Sequence, residues 1–360
     1  MNENNDEWET PTEEPPGIDD FGFAEAYDDP PAADDRLLEE NTAPSAINCG
    51  FVGFGSGGGK LAKAFLDIGF NKSILINTTE KDQPYGLAKE NFLLLPGADG
   101  VGKDIKLGRQ ILDNNNTYVE DALRTRLGKI DWLFVLAGGG GGTGSACFTL
   151  HKTFKRYLSS IDANGKVVYI VSKPSSQELL NPTIKSNCEI ILKNIVKHPH
   201  IIIDNEKQLQ LLRGKVGMLN MYPAANTNFA KLLAQVLKLA DEPSPIQAFD
   251  SKDLEKCLGE PGRMLLGSTV VRNLEKHDLG AAVFQGCVKS SPCANPSNEC
   301  KSGVLLLIAT PEMADDPSVS KKLEAAFSYV GGRADTLFSG VYLRENLPGL
   351  VALTLLGGMK

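Results

Sequence analysis

The run Ala137-Gly138-Gly139-Gly140-Gly141-Gly142-Thr143-Gly144-Ser145 carries the first chemical signal in the chain. Five consecutive glycines strip every Cβ from the main chain, so its N–H groups can approach an anion closely, at a large entropic cost. The apolar run Trp132-Leu133-Phe134-Val135-Leu136 ahead of it reads as a buried strand, and Cys147 onward reads as a helix. Strand, glycine loop and helix in that order aim backbone amides at a phosphate. A flexible linker of this composition has no reason to sit between a buried strand and a helix. A second glycine stretch, Gly53-Phe54-Gly55-Ser56-Gly57-Gly58-Gly59, follows the apolar Ile47-Asn48-Cys49-Gly50-Phe51-Val52 in the same way. Further on, Asp250 and Asp253 stand three apart in Phe249-Asp250-Ser251-Lys252-Asp253-Leu254. Taken alone they read as a helix cap and a surface acid.

The elements that must position these groups follow from periodicity. Strands are expected at 47–52, 73–77, 132–136, 167–171 and 201–203, with an amphipathic helix at 60–68 whose Leu61, Ala64, Phe65 and Ile68 recur at helical spacing. Strands alternating with helices imply a parallel sheet covered on both faces, with ligands at the carboxyl ends of the strands. Tyr222 to Ala240 is the longest convincing helix: Phe229, Leu232, Leu233, Val236 and Leu237 recur at three and four, Pro223 suits the first turn, and Pro243 and Pro245 end it. Beyond it, strand-like runs at 280–284, 304–309 and 350–356 with a helix at 319–329 suggest a second, α+β region. The expected division is 1–46 as a disordered acidic tail, 47–221 as a Rossmann-like parallel-sheet binding domain, 222–242 as a core helix, and 243–360 as the α+β domain.

Composition narrows the class. The 360 residues, 42% hydrophobic and 23% charged, suit an ordinary globular protein with a sizeable core. No apolar run reaches membrane-spanning length and no signal sequence opens the chain, so the expectation is a cytoplasmic protein without membrane insertion. The net charge of −8 hides an asymmetry: residues 1–46 hold fifteen acids against Arg36, leaving 36 basic and 30 acidic residues in the remainder. A mildly positive core favours an anionic ligand but is not basic enough for nucleic acid. The tail's six prolines and acids cannot bury a core, and Trp8, Phe21, Phe23 and Tyr27 sit among them like a short linear motif. Seven cysteines without a secretory signal argue for reduced thiols. Cys287, Cys293 and Cys300 match no paired CxxC spacing, and whether they bind a metal stays open.

A dinucleotide fold would use Gly53, Gly55 and Gly58 but would need an acid at the tip of the second strand, where Asn77-Thr78-Thr79 stands. A P-loop fails too, because neither stretch has Gly-Lys-Ser/Thr in place. Gly140-Gly141-Gly142-Thr143-Gly144-Ser145 resembles the tubulin signature GGGTGSG, with Ala146 for its last glycine. Gly53 to Gly59 is similar to the first phosphate loop of FtsZ, GVGGGGG, and Asn77-Thr78 to its NTD. Gly100-Val101-Gly102 through Gly108-Arg109 resembles GAGGNPxxGR, and Val171-Ser172-Lys173-Pro174 with Glu178 resembles VTKPFxFEG. The likeness runs in order over roughly 47–360 and is closest to the FtsZ branch of the tubulin superfamily.

That resemblance implies GTP and Mg²⁺ as cofactors. It implies phosphate contacts from Gly55, Ser56, Gly57, Gly58, Asn77, Gly102, Arg109, Gly140, Gly141, Gly142, Thr143, Gly144 and Ser145, and a ribose contact from Glu178. Guanine offers an acceptor at O6 and donors at N1 and N2, and an Asn amide supplies both complements. Asn205, in a segment similar to IPND, and Asn226, one turn after Tyr222, are the candidates, with the Tyr222 ring stacking on the base. The family's Asp after that second Asn is Thr227 here, its Arg after the ribose glutamate falls near Pro182, and the Asn before its acid loop is Ala248. In the family the general base comes from the neighbouring subunit, which assigns catalysis to Asp250 and Asp253 in a head-to-tail homopolymer. The expected role is a GTPase filament in cell division; a filament for plasmid or phage DNA positioning and a non-polymerising regulator of FtsZ are the alternatives. FtsZ proteins usually end in a linker and a tether-recruiting peptide, whereas here the last apparent strand lies beside residue 360. The expectation is that either the acidic N-terminal tail contacts a membrane tether or adaptor instead, or the protein does another job.

Overall fold

The computed structural model describes residues 45–163, 166–275, 278–295 and 300–359. The expectations for the acidic tail at 1–44, with Trp8, Phe21, Phe23 and Tyr27, lie outside the described residues. Ten strands form one sheet: β1 (Cys49–Phe54), β2 (Ser73–Asn77), β3 (Phe92–Leu94), β4 (Trp132–Gly138), β5 (Lys166–Lys173), β6 (Pro199–Asp204), β7 (Gly262–Val271), β8 (Cys300–Ala309), β9 (Ala334–Leu343) and β10 (Leu350–Met359). Their order across the sheet is β3-β2-β1-β4-β5-β6-β7-β10-β8-β9. Every pairing from β3 to β7 is parallel, as is β8 with β9, while β10 runs antiparallel to both neighbours. The fold is α/β on a mostly parallel sheet, as the alternation of strand and helix patterns requires.

Helices α1 (Gly55–Asp67), α2 (Ile105–Asn114), α3 (Asn116–Leu127), α4 (Gly142–Ala146), α5 (His151–Ser160), α6 (Pro182–Ile195) and α7 (Asn205–Leu212) connect the strands of the first part. The long α8 (Met221–Leu239) is followed by α9 (Ser251–Leu258), α10 (Leu279–Ser290), α11 (Pro311–Asp315) and α12 (Pro317–Gly331). The central strands are buried on both faces, so successive residues alternate between two cores. Phe51, Phe134, Leu136, Val168 and Ile170 join one. Val52, Leu133, Val135, Tyr169 and Val171 join the other. Phe51 anchors the first, stacked on Phe65 of α1 at 4.1 Å and on Phe134 of β4 at 5.0 Å between centroids. Buried phenylalanines contribute about 1.5–3 kcal/mol each. The same core takes in Phe229, Leu233, Val236 and Leu237 of α8 and continues through Leu254, Cys257 and Leu258 of α9 to the strands around β10.

The segment 280–284 is a correction. It lies in α10, capped by Asp278, whose Oδ1 accepts from Ala281 N at 3.2 Å. Gly280 sits against α12, where a Cβ would come within 2.4 Å of Tyr329 Cβ. A short apolar run carries no periodicity of its own, and the helix–helix contact decides it. Strands β3, β7 and β9 have no counterpart among the expected strands. Cys287 lies on α10, Cys293 after it, and Cys300 opens β8; all three are buried, and burial raises their thiol pKa values, that of Cys300 to about 11. Among the described residues no group of three or more His, Cys, Asp or Glu could hold a metal ion, and no helix is long and apolar enough to cross a membrane.

Candidate functional site

The carboxyl ends of β1, β2, β4, β5 and β6 open on a cleft of about 670 Å³, the size of a site for a small-molecule ligand. Helix α1 begins at Gly55, immediately after β1, with a φ of 67° that favours glycine. Gly55, Ser56 and Gly57 line the cleft, and the first-turn amides of a helix have no intrahelical acceptor. Gly58 does not line it. A Cβ there would meet Leu136 O at 2.2 Å, and one on Gly53 would meet Gly58 O at 2.3 Å. Those two glycines let the start of α1 lie directly on β1 and β4.

The five-glycine run resolves in the same way into a short turn and a helix start. Only Gly139, Gly140 and Gly141 lie between β4 and α4. Of the five, Gly141 alone has open space where its Cβ would be, while a Cβ on Gly142 would meet Asp104 O at 2.8 Å and one on Gly140 would meet Ile184 Cγ2 at 2.9 Å. Gly140, Gly141, Gly142, Thr143 and Gly144 line the cleft. Ser145 does not: it is buried and its hydroxyl donates to Gly138 O at 3.4 Å. From β2, Asn77 lines the cleft, its Oδ1 accepting from Thr78 N at 2.8 Å. The hydroxyls of Thr78 and Thr143 lie 3.0 Å apart, tying the tip of β2 to the glycine turn. Gly102 lines the cleft and its carbonyl accepts from Gly142 N at 3.0 Å. Arg109 does not line the cleft: it lies on α2, with its guanidinium 5.5 Å from the centre of the Phe148 ring.

At the other end, Glu178, Asn205, Tyr222 and Asn226 line the same cleft. Glu178 Oε2 accepts from Ser175 N at 2.8 Å and from Ser175 Oγ at 2.9 Å, which fixes the carboxylate. Asn205 opens α7, whose cap Asp204 accepts from Glu206 N and Lys207 N and pairs with Lys173 at 3.1 Å. Tyr222 and Asn226 stand one turn apart on α8, as their spacing requires. Burial, then the charges of Glu178 and Glu206, raise the Tyr222 phenol.

Several residues of the site carry no local sequence signal. Asn187 of α6 is buried, and its Nδ2 donates to Lys103 O at 2.8 Å and to Gly140 O at 3.2 Å. Lys60 and Lys103 line the cleft, and Lys81 at its mouth pairs with Asp99 at 2.7 Å. The Lys81 hydrogen bond, with a second from Thr79, lowers the Asp99 carboxyl. Asp250 and Asp253 lie outside the cleft. Asp250 caps α9, accepting from Lys252 N at 2.6 Å, and Asp253 pairs with Lys256 at 2.8 Å. Their loop is held by Phe249, which is buried and whose N–H donates to Tyr342 Oη at 3.0 Å.

No protein-family model matches the chain. It is 25% identical over 240 residues to the cell division protein FtsZ of Coxiella burnetii, a match covering 64% of this chain and 58% of that protein. It is 24% identical over 223 residues to cell division protein FtsZ 1 of Pyrococcus furiosus, covering 60% and 56%. The chain therefore spans less than two thirds of the length of these relatives. Among solved structures, a GTPγS-form protofilament of TubZ from Bacillus thuringiensis serovar israelensis superposes with a TM-score of 0.73 at 18% identity, covering 91% of this chain and 92% of that one. CetZ2 from Haloferax volcanii, solved as a GTPγS-bound protofilament, gives 0.70 at 21% identity, covering 87% and 94%. The glycine turns, the shared cleft and these superpositions define a tubulin/FtsZ fold. Over part of its length the sequence is similar to the cell division proteins FtsZ.

Proposed function

We propose that the protein is a GTPase whose active site is completed by head-to-tail assembly, each copy holding GTP in its cleft and offering Asp250 and Asp253 to the next. The observation that carries this reading is a division within one chain. The cleft gathers phosphate-type glycine turns, a ribose-type carboxylate and an aromatic–amide pair, while both acids lie elsewhere. Main-chain amides of Gly55–Gly57 and of the glycine turn would hold the phosphates. The fixed Glu178 would take the ribose hydroxyls, Tyr222 would stack on the base, and Asn205 and Asn226 would read its edge. For magnesium the cleft offers oxygen donors at one edge, the Asp82 carboxylate and the Thr78 and Thr143 hydroxyls, which suits a hard cation. Bound with the nucleotide, the ion would offset charge on the phosphates.

In the single chain the acids are occupied by a helix cap and an exposed ion pair, neither of which prevents them from accepting hydrogen bonds from a water. A heterologous contact propagates into a filament. Docking the Phe249–Leu254 loop over the neighbour's cleft would place a water between the carboxylates and the terminal phosphate, where they orient it and accept its proton. Residues 47–221 would then bind nucleotide, 222–242 connect, and 243–360 activate the neighbour. The setting we propose is cell division, on the names of the FtsZ relatives, with the acidic tail engaging an adaptor or tether. The test is GTP turnover per subunit against protein concentration, with light scattering in parallel. Turnover that rises steeply with concentration and tracks scattering supports the reading; a constant rate per subunit without scattering overturns it.

A further inference from the structure

Three lysines line the cleft, and they are held differently. Lys81 is engaged by Asp99 at 2.7 Å. Lys60 extends from α1, four residues after Ser56. Lys103 is the unusual one, because its main chain is clamped while its side chain is exposed. Its carbonyl accepts from the buried Asn187 Nδ2 at 2.8 Å, and the same amide group donates to Gly140 O at 3.2 Å. The preceding carbonyl, of Gly102, accepts from Gly142 N at 3.0 Å. On the other side Asp104 caps α2 by accepting from Lys106 N and Leu107 N. The Cα of Lys103 is thus fixed to the glycine turn, with no ion-pair partner for its ammonium among the described residues. It also stands where the GAGG pattern that this loop resembles has its last glycine, so a full positive charge replaces a bare main chain.

We propose that the Lys103 ammonium contacts the terminal phosphate of a bound nucleoside triphosphate, so that this chain distinguishes triphosphate from diphosphate by a side chain of its own. The inference rests on the cleft being a nucleotide site, as argued above. Backbone amides bring partial charges, whereas a lysine brings a whole one on a flexible stem. A charge-assisted hydrogen bond to phosphate is roughly twice as strong as a neutral one. The cleft is open to water, so the gain is limited by screening. Clamping the backbone removes part of the ordering cost for the contact. Because magnesium competes for the same phosphate charge, the lysine matters most when the ion is removed.

The experiment compares the full-length protein with Lys103→Met and Lys103→Arg, titrated with GTPγS and with GDP, each in magnesium and in excess EDTA. The expected result is that Lys103→Met weakens GTPγS binding about tenfold in magnesium, and by more in EDTA. GDP binding changes by less than about twofold, and Lys103→Arg restores most of the GTPγS affinity. Equal losses for GTPγS and GDP, or no loss for either, overturn the proposal while leaving the nucleotide site intact. A wild-type protein that binds neither ligand overturns the nucleotide site itself, and this inference with it. The side chain is exposed, so an unchanged melting temperature checks that all three proteins are folded.

Discussion

The glycine-rich end of the cleft is built from main chain, whereas the loop at Phe249–Leu254 presents the side chains of Asp250 and Asp253. At the cleft, glycines are required at fixed points: Gly58 under Leu136 O, Gly142 against Asp104 O, Gly144 against Gly138 O. Buried amides such as Asn187 lock the turns to one another. At the acid loop, Phe249 anchors one end, and Asp250 and Asp253 project from α9 with a cap bond and an exposed ion pair. A preorganised amide cradle is costly to alter but needs no partner. Exposed carboxylates are cheap to alter and, by themselves, do nothing to a phosphate they cannot reach. The difference is what the proposed reading rests on: a cleft complete within one chain, and acids that lie outside it.

The largest effect that would sharpen this contrast is expected at Gly58. Gly58→Val drives its new atoms into Leu136 O, where even a Cβ comes to 2.2 Å, and should cost about 3 kcal/mol or more. Loss of soluble, cooperatively melting protein checks it. Asp250→Ala is next. Nucleotide affinity should stay within about twofold while steady-state turnover falls about 100-fold and assemblies persist longer, measured by phosphate release and light scattering. Undiminished turnover would remove the acid loop from the account.

Acid should act on the cleft-bearing half. Three of the four histidines gather there: His151 Nδ1 and Tyr169 Oη lie 2.8 Å apart, the His151 and His198 rings 4.0 Å apart, and His200 Nδ1 meets His198 O at 2.8 Å. Burial, then His198 and Lys155, brings His151 down to about 4. Burial and Lys155 lower His198, and burial, Arg263 and His198 lower His200 against a backbone bond that raises it. All three folded values lie below the unfolded value of about 6.5, so the unfolded chain takes up protons first. Stability is therefore full above about pH 6.5 and is lost as pH falls toward 4. The melting temperature should drop by several degrees between pH 7 and pH 5, and His151→Gln should flatten that slope. The smallest effect is expected for Arg109→Ala, which lies off the cleft and should change nucleotide affinity by less than about twofold in a direct titration.

What could be read in advance follows from the range over which each residue acts. Alternation in Trp132–Leu136 and in Val167–Val171 exposes both cores, because strand geometry sorts neighbours by parity. Tyr222 and Asn226 were legible for the same local reason, four residues on one helix. The glycine stretches announced the cleft but not the division of labour inside it, since which glycine faces an anion and which faces a carbonyl depends on strands elsewhere. Gly58 and Ser145, expected as phosphate contacts, do not line the cleft: Gly58 packs under Leu136 O and the Ser145 hydroxyl turns to Gly138 O. Arg109 was carried over from a motif, and its guanidinium lies over Phe148, 39 residues along the chain. Asn187 gave no signal, being one amide in a helix whose partners lie 47 and 84 residues distant. The misread segment 280–284 had a cap at Asp278 that pointed to a helix, outweighed by an apolar run too short to show its period.

The central claim is that one active site is shared by two copies, and mixing two crippled variants tests it directly. Asp250→Ala keeps the cleft and loses the acids. Gly141→Asp keeps the acids and puts a carboxylate into open space on the cleft, repelling phosphate without disturbing packing. Each alone should be nearly inactive. Mixed in equal amounts, they should recover GTP turnover to about a quarter of the wild-type rate, the share of interfaces that pair intact acids with an intact cleft. A mixture no more active than the sum of its parts would contradict the shared site.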